Sequence, residues 1–334
     1  MVVHAYYPIG ESRVQREAKA LVDNNCKVDV ICLRQPGEPS RAVVYGVNVY
    51  RMPVRRHKGC GVWIQLVEYL AFFCLSFWRL TTLHLQQRYS AVQLHNPPDF
   101  LVFAALAPRL MGVKVILDLH DLTPEFYASR FKSDMDAWPV RLVRWQEYLA
   151  CLFANHVITV SEPWRQTLIQ RGLAPDKCSV VMNVADSKLF RRDQLKQHLP
   201  PDNYFHLFYH VTLTHRYGID IALQAVARLQ GDLPDIRLTI HGRGLVPYRR
   251  DVFTDGILPT KLMEYAALGI PTVVARTPSI SAYFDETMVE FFTAEDVEEL
   301  AHYIRTLYYD QARLNERLTI FKSLTNAITG LSTM

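Results

Sequence analysis

The opening of the chain constrains the fold more than any other stretch. Val2-Val-His-Ala5 is a short apolar run, and Tyr6-Tyr-Pro8 leads into a loop through Gly10. Residues 13 to 25 put Val14, Ala18, Leu21 and Val22 on one helical face, and Val28-Asp-Val-Ile-Cys-Leu33 is a second apolar run. Two short buried strands joined through a helix form a parallel pair, and a parallel sheet needs helices on both faces. The alternation recurs. Ser90 to His95 is a strand ending in Asn-Pro-Pro-Asp99, a helix runs through Leu110, and Val113 to Leu119 is a strand. A helix over 139 to 154 and the strand His156 to Val160 follow. In the second half the pattern gives a strand from Phe205 to His210, a helix to about Leu229 and a strand from Ile236 to Ile240. This is an α/β, doubly wound pattern, and 334 residues suffice for two such domains with separate cores.

Two places carry chemistry. The first is Asp255-Gly-Ile-Leu-Pro-Thr-Lys-Leu-Met-Glu264-Tyr-Ala-Ala-Leu-Gly269-Ile-Pro271. Pro259 ends a loop, Thr260 is a candidate N-cap, and residues 261 to 268 favour helix. Gly269 supplies a left-handed C-terminal residue, Pro271 stops the helix, and Thr272 to Ala275 is a short buried strand. A loop feeding a helix N-terminus offers unpaired N–H groups and a positive dipole end, which suit a diphosphate. Glu264, about one turn in, can accept hydrogen bonds from ribose hydroxyls; equally, it can complement the dipole or pair with Lys261. The second place is His120-Asp121, just past the carboxyl end of the strand Val113 to Leu119, where open α/β sheets place ligands.

The stretch around Leu258-Pro-Thr-Lys-Leu-Met-Glu264-Tyr resembles the donor-nucleotide motif of family-4 retaining glycosyltransferases. An earlier glutamate common in that family falls here on Gly256, beside Asp255. The resemblance covers roughly residues 1 to 310 and implies the GT-B fold, two Rossmann-like doubly wound domains facing a central cleft. It implies an acceptor-side domain over 1–185 and a donor-binding domain over 186–334. Val180-Val-Met-Asn183-Val-Ala-Asp186 resembles the family's crossing between them. His120-Asp-Leu-x-Pro-Glu125 resembles the segment whose histidine faces the reacting sugar, which makes His120 the catalytic candidate and Glu125 an acceptor-side one. Gly10, Arg13 and Arg16 lie in and after the first loop, which faces the acceptor in the family; the arginines can bind an acceptor phosphate or form a solvated first turn. Leu258, Pro259, Thr260, Lys261 and Glu264 are the donor-binding set, joined by Thr212 and Arg216 from the loop that holds the diphosphate. The glycine of that loop is replaced by Val211 and its lysine by Tyr217. The family also inserts a helix, a strand and a helix after the Gly-x-Gly that here is Gly242-Arg-Gly244, whereas Gly244 runs directly into Leu245-Val-Pro-Tyr. The second domain is therefore expected to be shortened, and turnover reduced. The co-substrate implied is a UDP- or GDP-sugar, with no cofactor and no obligate metal, and the acceptor a lipid-linked or polysaccharide hydroxyl.

Composition sets the remaining limits. A net charge of +4 permits affinity for anionic lipid or nucleotide and does not suggest a nucleic-acid binder. The six cysteines show no paired spacing, and Met1 leads directly into a strand, so a cytoplasmic chain without a signal peptide is expected. Val62 to Arg79 is the most apolar segment, interrupted by Glu68 and flanked by Arg55, Arg56 and Lys58. It reads as a helix, either packed on the sheet or lying at the inner face of the cell membrane as a peripheral contact. Asp134-Met-Asp136 matches a metal-binding Asp-x-Asp but precedes a helix instead of following a strand, so no metal is assigned. A non-catalytic scaffold, an epimerase of free nucleotide sugar, and a dehydrogenase built on Gly242-x-Gly244 stay open beside the transferase.

Overall fold

In the computed structural model the described residues are 1–9, 11–57, 61–185, 190, 204–213, 218–245 and 251–310. The chain divides into two compact units, Met1–Met182 and Asn183–Met334.

The first unit runs β1 (Val2–Tyr6), α1 (Ser12–Asp23), β2 (Asp29–Leu33), β3 (Arg41–Val44), β4 (Val47–Met52), α2 (Val62–Gln87) and β5 (Ala91–His95). A 3-10 helix (Asp99–Ala105), α3 (Leu106–Leu110), β6 (Lys114–Leu119), α4 (Thr123–Phe131), α5 (Trp138–Phe153), β7 (His156–Thr159), α6 (Glu162–Gln170) and β8 (Cys178–Val180) complete it. One sheet takes all eight strands in the order β3-β4-β2-β1-β5-β6-β7-β8. Every neighbouring pair is parallel except β3 with β4. β3 and β4 therefore form a hairpin appended to a parallel sheet. Its turn residues Tyr45 and Gly46 have φ of 52° and 80°, the pair of positive values a two-residue hairpin turn requires. A Cβ on Gly46 would also meet Val22 Cγ1 at 2.9 Å, so both backbone and packing demand glycine there.

Chain order reverses across β1, which has β2 on one side and β5 on the other. That is a switch point, the place in an open sheet where the loops diverge and leave a crevice. The loop after β1 and the ends of β5 and β6 meet the crevice together.

The apolar helix α2 resolves in an unexpected sense. Glu68, which interrupts the apolar run, faces the interior; Trp63, Val67, Leu70, Trp78 and Leu85 face outward. Glu68 accepts from the backbone N–H of His57 at 2.7 Å, and His4 Nε2 lies 3.0 Å from its other oxygen. Burial lowers the His4 pKa to about 4, so a neutral histidine lies beside the buried carboxylate. Phe72, Leu80 and Leu83 supply the apolar part of the packed face.

The second unit contains β9 (Phe205–Leu213), α7 (Ile219–Leu229), β10 (Ile236–Leu245), a 3-10 turn (Thr254–Gly256), α8 (Thr260–Leu268), β11 (Val273–Ala275), α9 (Pro278–Ser281), β12 (Glu290–Phe292) and α10 (Val297–Tyr309). Among the described residues β9 pairs with β10 and β11 with β12, both parallel. One core joins the two pairs: Ile221, Ala225 and Leu229 of α7 and Leu300, Ala301 and Ile304 of α10 pack with Ile236, Ala275 and Phe292. Between Leu245 and the turn at Thr254, the described residues hold no helix or strand.

Candidate active site

Burying a charge inside a parallel sheet requires a partner, because desolvation costs several kcal/mol per ion. Asp118, on β6, is fully buried. Its partner comes from α1: Arg13 Nε and Nη2 donate to Asp118 Oδ2 and Oδ1, each at 2.9 Å, while Nη1 donates to the Val181 carbonyl at 2.7 Å. The fork of the guanidinium matches the two carboxylate oxygens, the geometry in which arginine is strongest. Arg13 is itself only 3% exposed. It is therefore an interior partner of Asp118, which corrects the alternative of a solvated first-turn residue.

Two histidines converge on the same carboxylate. His95 Nδ1, at the end of β5, lies 3.1 Å from Asp118 Oδ2, and His120 Nε2 lies 3.5 Å from it. The two ring nitrogens are 3.0 Å apart. Gln93 Nε2 bridges Asp118 Oδ2 at 3.3 Å and Glu17 Oε2 at 2.8 Å. His120 is fixed from its backbone as well, since its N–H donates to Asn96 Oδ1 at 2.7 Å. Asn96 is in turn locked by donating to Asp99 Oδ1 at 2.9 Å and to the Asp121 carbonyl at 2.6 Å. The outward nitrogen of His120, Nδ1, has Glu11 Oε1 at 3.7 Å.

The electrostatics separate the two rings. Burial drives His95 down to about 4, with Asp118 opposing only in part, so His95 is neutral. Burial also opposes charge on His120, but the hydrogen bond and charge of Asp118, with Glu11 behind it, outweigh that and raise its pKa above the ordinary value. The Asp118 carboxyl, despite its burial, is held well below the usual carboxylate range by bonds from His120 and His95. Burial and Asp118 push Glu17 up to about 7, against Arg13. His120 thus stands at the rim of the sheet as a hydrogen-bond donor with an anchored rear face, suited to an oxygen that gains negative charge.

His95, Asp118 and His120 present three ligand-type atoms within 4.8 Å of one another. Arg13 occupies both oxygens of that carboxylate, and its charge opposes a cation at this point. Asp134 and Asp136 form a local turn, Asp134 Oδ1 accepting from the Asp136 N–H at 2.7 Å, away from any strand end.

Glu125 is placed elsewhere. It is buried in the first turn of α4 and paired with Arg171, which also donates to Glu147 Oε1 at 2.8 Å. Its carboxylate is engaged in the interior. Arg16 is half-buried on α1. Gly10 and Arg216 lie outside the described residues. Thr212 is described for its backbone only, within β9 opposite Gly244 of β10.

In the second unit, Asp251 Oδ1 accepts from the N–H groups of Phe253 and Thr254 at 2.9 and 2.8 Å and so fixes the turn that delivers Leu258-Pro259 to α8. The helix starts at Thr260 itself; Pro259 occupies the cap position and makes no side-chain cap bond. Thr260 is therefore a first-turn residue, correcting the cap assignment. Gly269 ends α8 with φ of 68°, the left-handed residue expected there. Leu258 is buried, and Lys261 and Glu264 are half-buried on the same turn. Burial lowers the Lys261 pKa and Glu264 opposes that shift, so the two charges do sense each other.

The residues missed from sequence are Asp118, His95, Asn96 and Glu11. The signal for Asp118 was present: one carboxylate in an otherwise apolar strand covered on both faces demands a buried cation.

Known proteins fit this framework. The family model described as a glycosyl transferase 4-like domain matches residues 10–183, more than half of the chain. Sucrose-phosphate synthase from Thermosynechococcus elongatus superposes with a TM-score of 0.66 at 14% identity, covering 96% of this chain and 92% of its own. Anabaena HepE in complex with UDP and glucose gives a TM-score of 0.65 at 14% identity over 98% and 94%. The lipopolysaccharide outer core galactosyltransferase WaaB gives 0.57 at 10% identity over 98% of both chains. The α/β architecture is that of GT-B glycosyltransferases, and the chain belongs to the glycosyl transferase 4-like family.

Proposed function

We propose that this protein is a retaining glycosyltransferase that moves a hexose from a UDP- or GDP-sugar to a hydroxyl of a lipid-linked or polysaccharide acceptor. The observation that carries this is His120, held at the switch point by Asp118 and Asn96. Its outward Nδ1 serves a sugar or acceptor oxygen. The N-terminal turn of α8 favours the diphosphate through its N–H groups and dipole, Lys261 adds positive charge, and Glu264 holds the ribose. In this reaction the bond from the sugar to the diphosphate breaks, and the acceptor oxygen attacks the same face. The acceptor proton passes to the departing phosphate. HepE, whose structure holds UDP and glucose, supports a nucleotide-sugar donor. The outward apolar face of α2, with Trp63 79% and Trp78 68% exposed, supports peripheral contact with an anionic membrane at the cytoplasmic side, where a lipid-linked acceptor is presented.

A thermal-shift panel of nucleotides and nucleotide sugars, followed by assay of released nucleoside diphosphate, tests this reading. A stabilising nucleotide sugar that also releases UDP or GDP is expected. Binding without release identifies a scaffold, and stabilisation by a nicotinamide cofactor instead identifies a dehydrogenase.

A further inference from the structure

A cavity of about 600 Å³ lies in the first unit, away from His120. Its floor and one wall are α5, through Arg141, Arg144, Trp145, Glu147 and Tyr148; the other wall is the end of α6 and its following turn, through Gln170. Because α6 leaves the carboxyl end of β7 and runs back across the sheet, Gln170 sits at the rim opposite His120.

The lining combines two features. Trp145 and Tyr148 are 60% and 41% exposed on a rigid helix, a flat apolar platform open to solvent. Beneath them, polar atoms are buried without partners among the described residues. Glu147 is 2% exposed; Oε1 meets Arg171, while Oε2 has no partner. Arg144 donates through Nη2 to the Met135 carbonyl at 3.0 Å, while its buried Nε has no partner. A buried polar atom left unpaired is costly, so a ligand bringing hydroxyls into the cavity would recover that loss. A lipid chain would leave both atoms unserved. Arg171 is shared between Glu125 and Glu147, and Arg141 and Arg144 bring two further positive charges to the lining.

We propose that this cavity is a carbohydrate subsite for an acidic glycan, whose ring stacks on Trp145 and whose hydroxyls and acid group meet Glu147, Arg144 and Arg141. Resting on the transferase reading, the subsite holds a distal part of the acceptor while its growing end reacts elsewhere. Its binding can nevertheless be measured without donor or turnover, so failure here and failure of the transferase reading are distinct results.

The test is calorimetry of the whole protein with trigalacturonate as the acidic probe and maltotriose as the neutral one. Trigalacturonate should bind, and Trp145→Ala and Arg144→Gln should each weaken it about tenfold or more, with Trp145→Phe retaining most of the affinity. Trp145 is exposed, so its removal should leave the fold, and the nucleotide-induced thermal shift, unchanged. No binding of trigalacturonate, equal affinity for both trisaccharides, or full affinity in Trp145→Ala overturns the proposal. So does binding of phosphatidylglycerol vesicles that is lost in Trp145→Ala while neither trisaccharide binds.

Discussion

Asp118→Asn removes one charge from the most heavily bonded group in the site, and its consequences follow from the geometry. Asp118 takes two 2.9 Å bonds from Arg13 and faces both histidines, with no solvent to replace them. Asparagine keeps one acceptor oxygen and turns an N–H₂ toward either the guanidinium or a ring. Arg13 then remains as a buried charge without its anion, and breaking such a pair from one side costs about 3–5 kcal/mol. That is a large part of the roughly 5–15 kcal/mol that holds a domain together. Urea unfolding should show a lower midpoint at unchanged slope. The second consequence is electrostatic. With the carboxylate gone, burial of His120 is opposed only by Glu11, and its pKa should fall below the ordinary histidine value. The His120 ring proton followed by NMR should then titrate at lower pH than in the wild type, and the alkaline limb of the pH–rate profile should move with it. In the wild type the raised pKa of His120 contributes stability that is complete below the ordinary value near pH 6.5 and lost as pH rises through its folded pKa. The double variant Asp118→Asn with Arg13→Gln removes both charges and should be less destabilised than the sum of the single changes. An unchanged midpoint together with an unchanged His120 titration would refute the account of the network.

Three further outcomes follow from other parts of the molecule. Burial raises the Glu147 carboxyl to about 8, with Arg171 opposing, so its contribution is complete below the ordinary glutamate pKa and lost as pH rises through about 8. The stability advantage of Glu147→Gln over wild type should therefore grow by about 1.4 kcal/mol per pH unit between pH 6 and 8 in urea unfolding, and a constant difference would show that Glu147 is already ionised. Glu264→Ala should weaken nucleotide-sugar binding by about 1–3 kcal/mol in calorimetry, whereas unchanged affinity with the fold intact returns Glu264 to a helix-pairing role. Because the described residues between Leu245 and Thr254 hold no helix or strand where the resemblance implies a helix–strand–helix unit, limited proteolysis should cut beyond Asn183 before it cuts the eight-stranded unit; preferential cleavage in the first unit contradicts this.

Much of the first unit was legible because parallel strands buried on both faces are short apolar runs, and their alternation with helices left few topologies. His120 could be placed because its strand and the position just past it were both readable. What could not be read was long-range pairing. Arg13 and Asp118 are 105 residues apart, and only the strand order β1-β5-β6 brings the loop after β1 to the edge of β6. Arg13 and Arg16 look alike as surface residues of one helix, and tertiary contact alone distinguishes the buried one. In α2, apolar residues surround the helix, so no periodic stripe announced which face packs; Glu68 reads as a defect when it is the buried anchor of the inner face. The burial of Glu125 was hidden for a similar reason, since its partner Arg171 comes from the end of α6, three elements later.

The most direct test of the central claim is the anomeric configuration of the first product. The whole protein is incubated with the nucleotide sugar that stabilises it and with acceptor glycan, and the new linkage is followed by proton NMR, alongside His120→Ala. Retaining transfer predicts release of the nucleoside diphosphate and a new glycosidic bond with the donor's anomeric configuration, with His120→Ala slowing transfer far more than it weakens nucleotide binding. An inverted linkage, a free epimerised nucleotide sugar, or transfer by His120→Ala at the wild-type rate would contradict it.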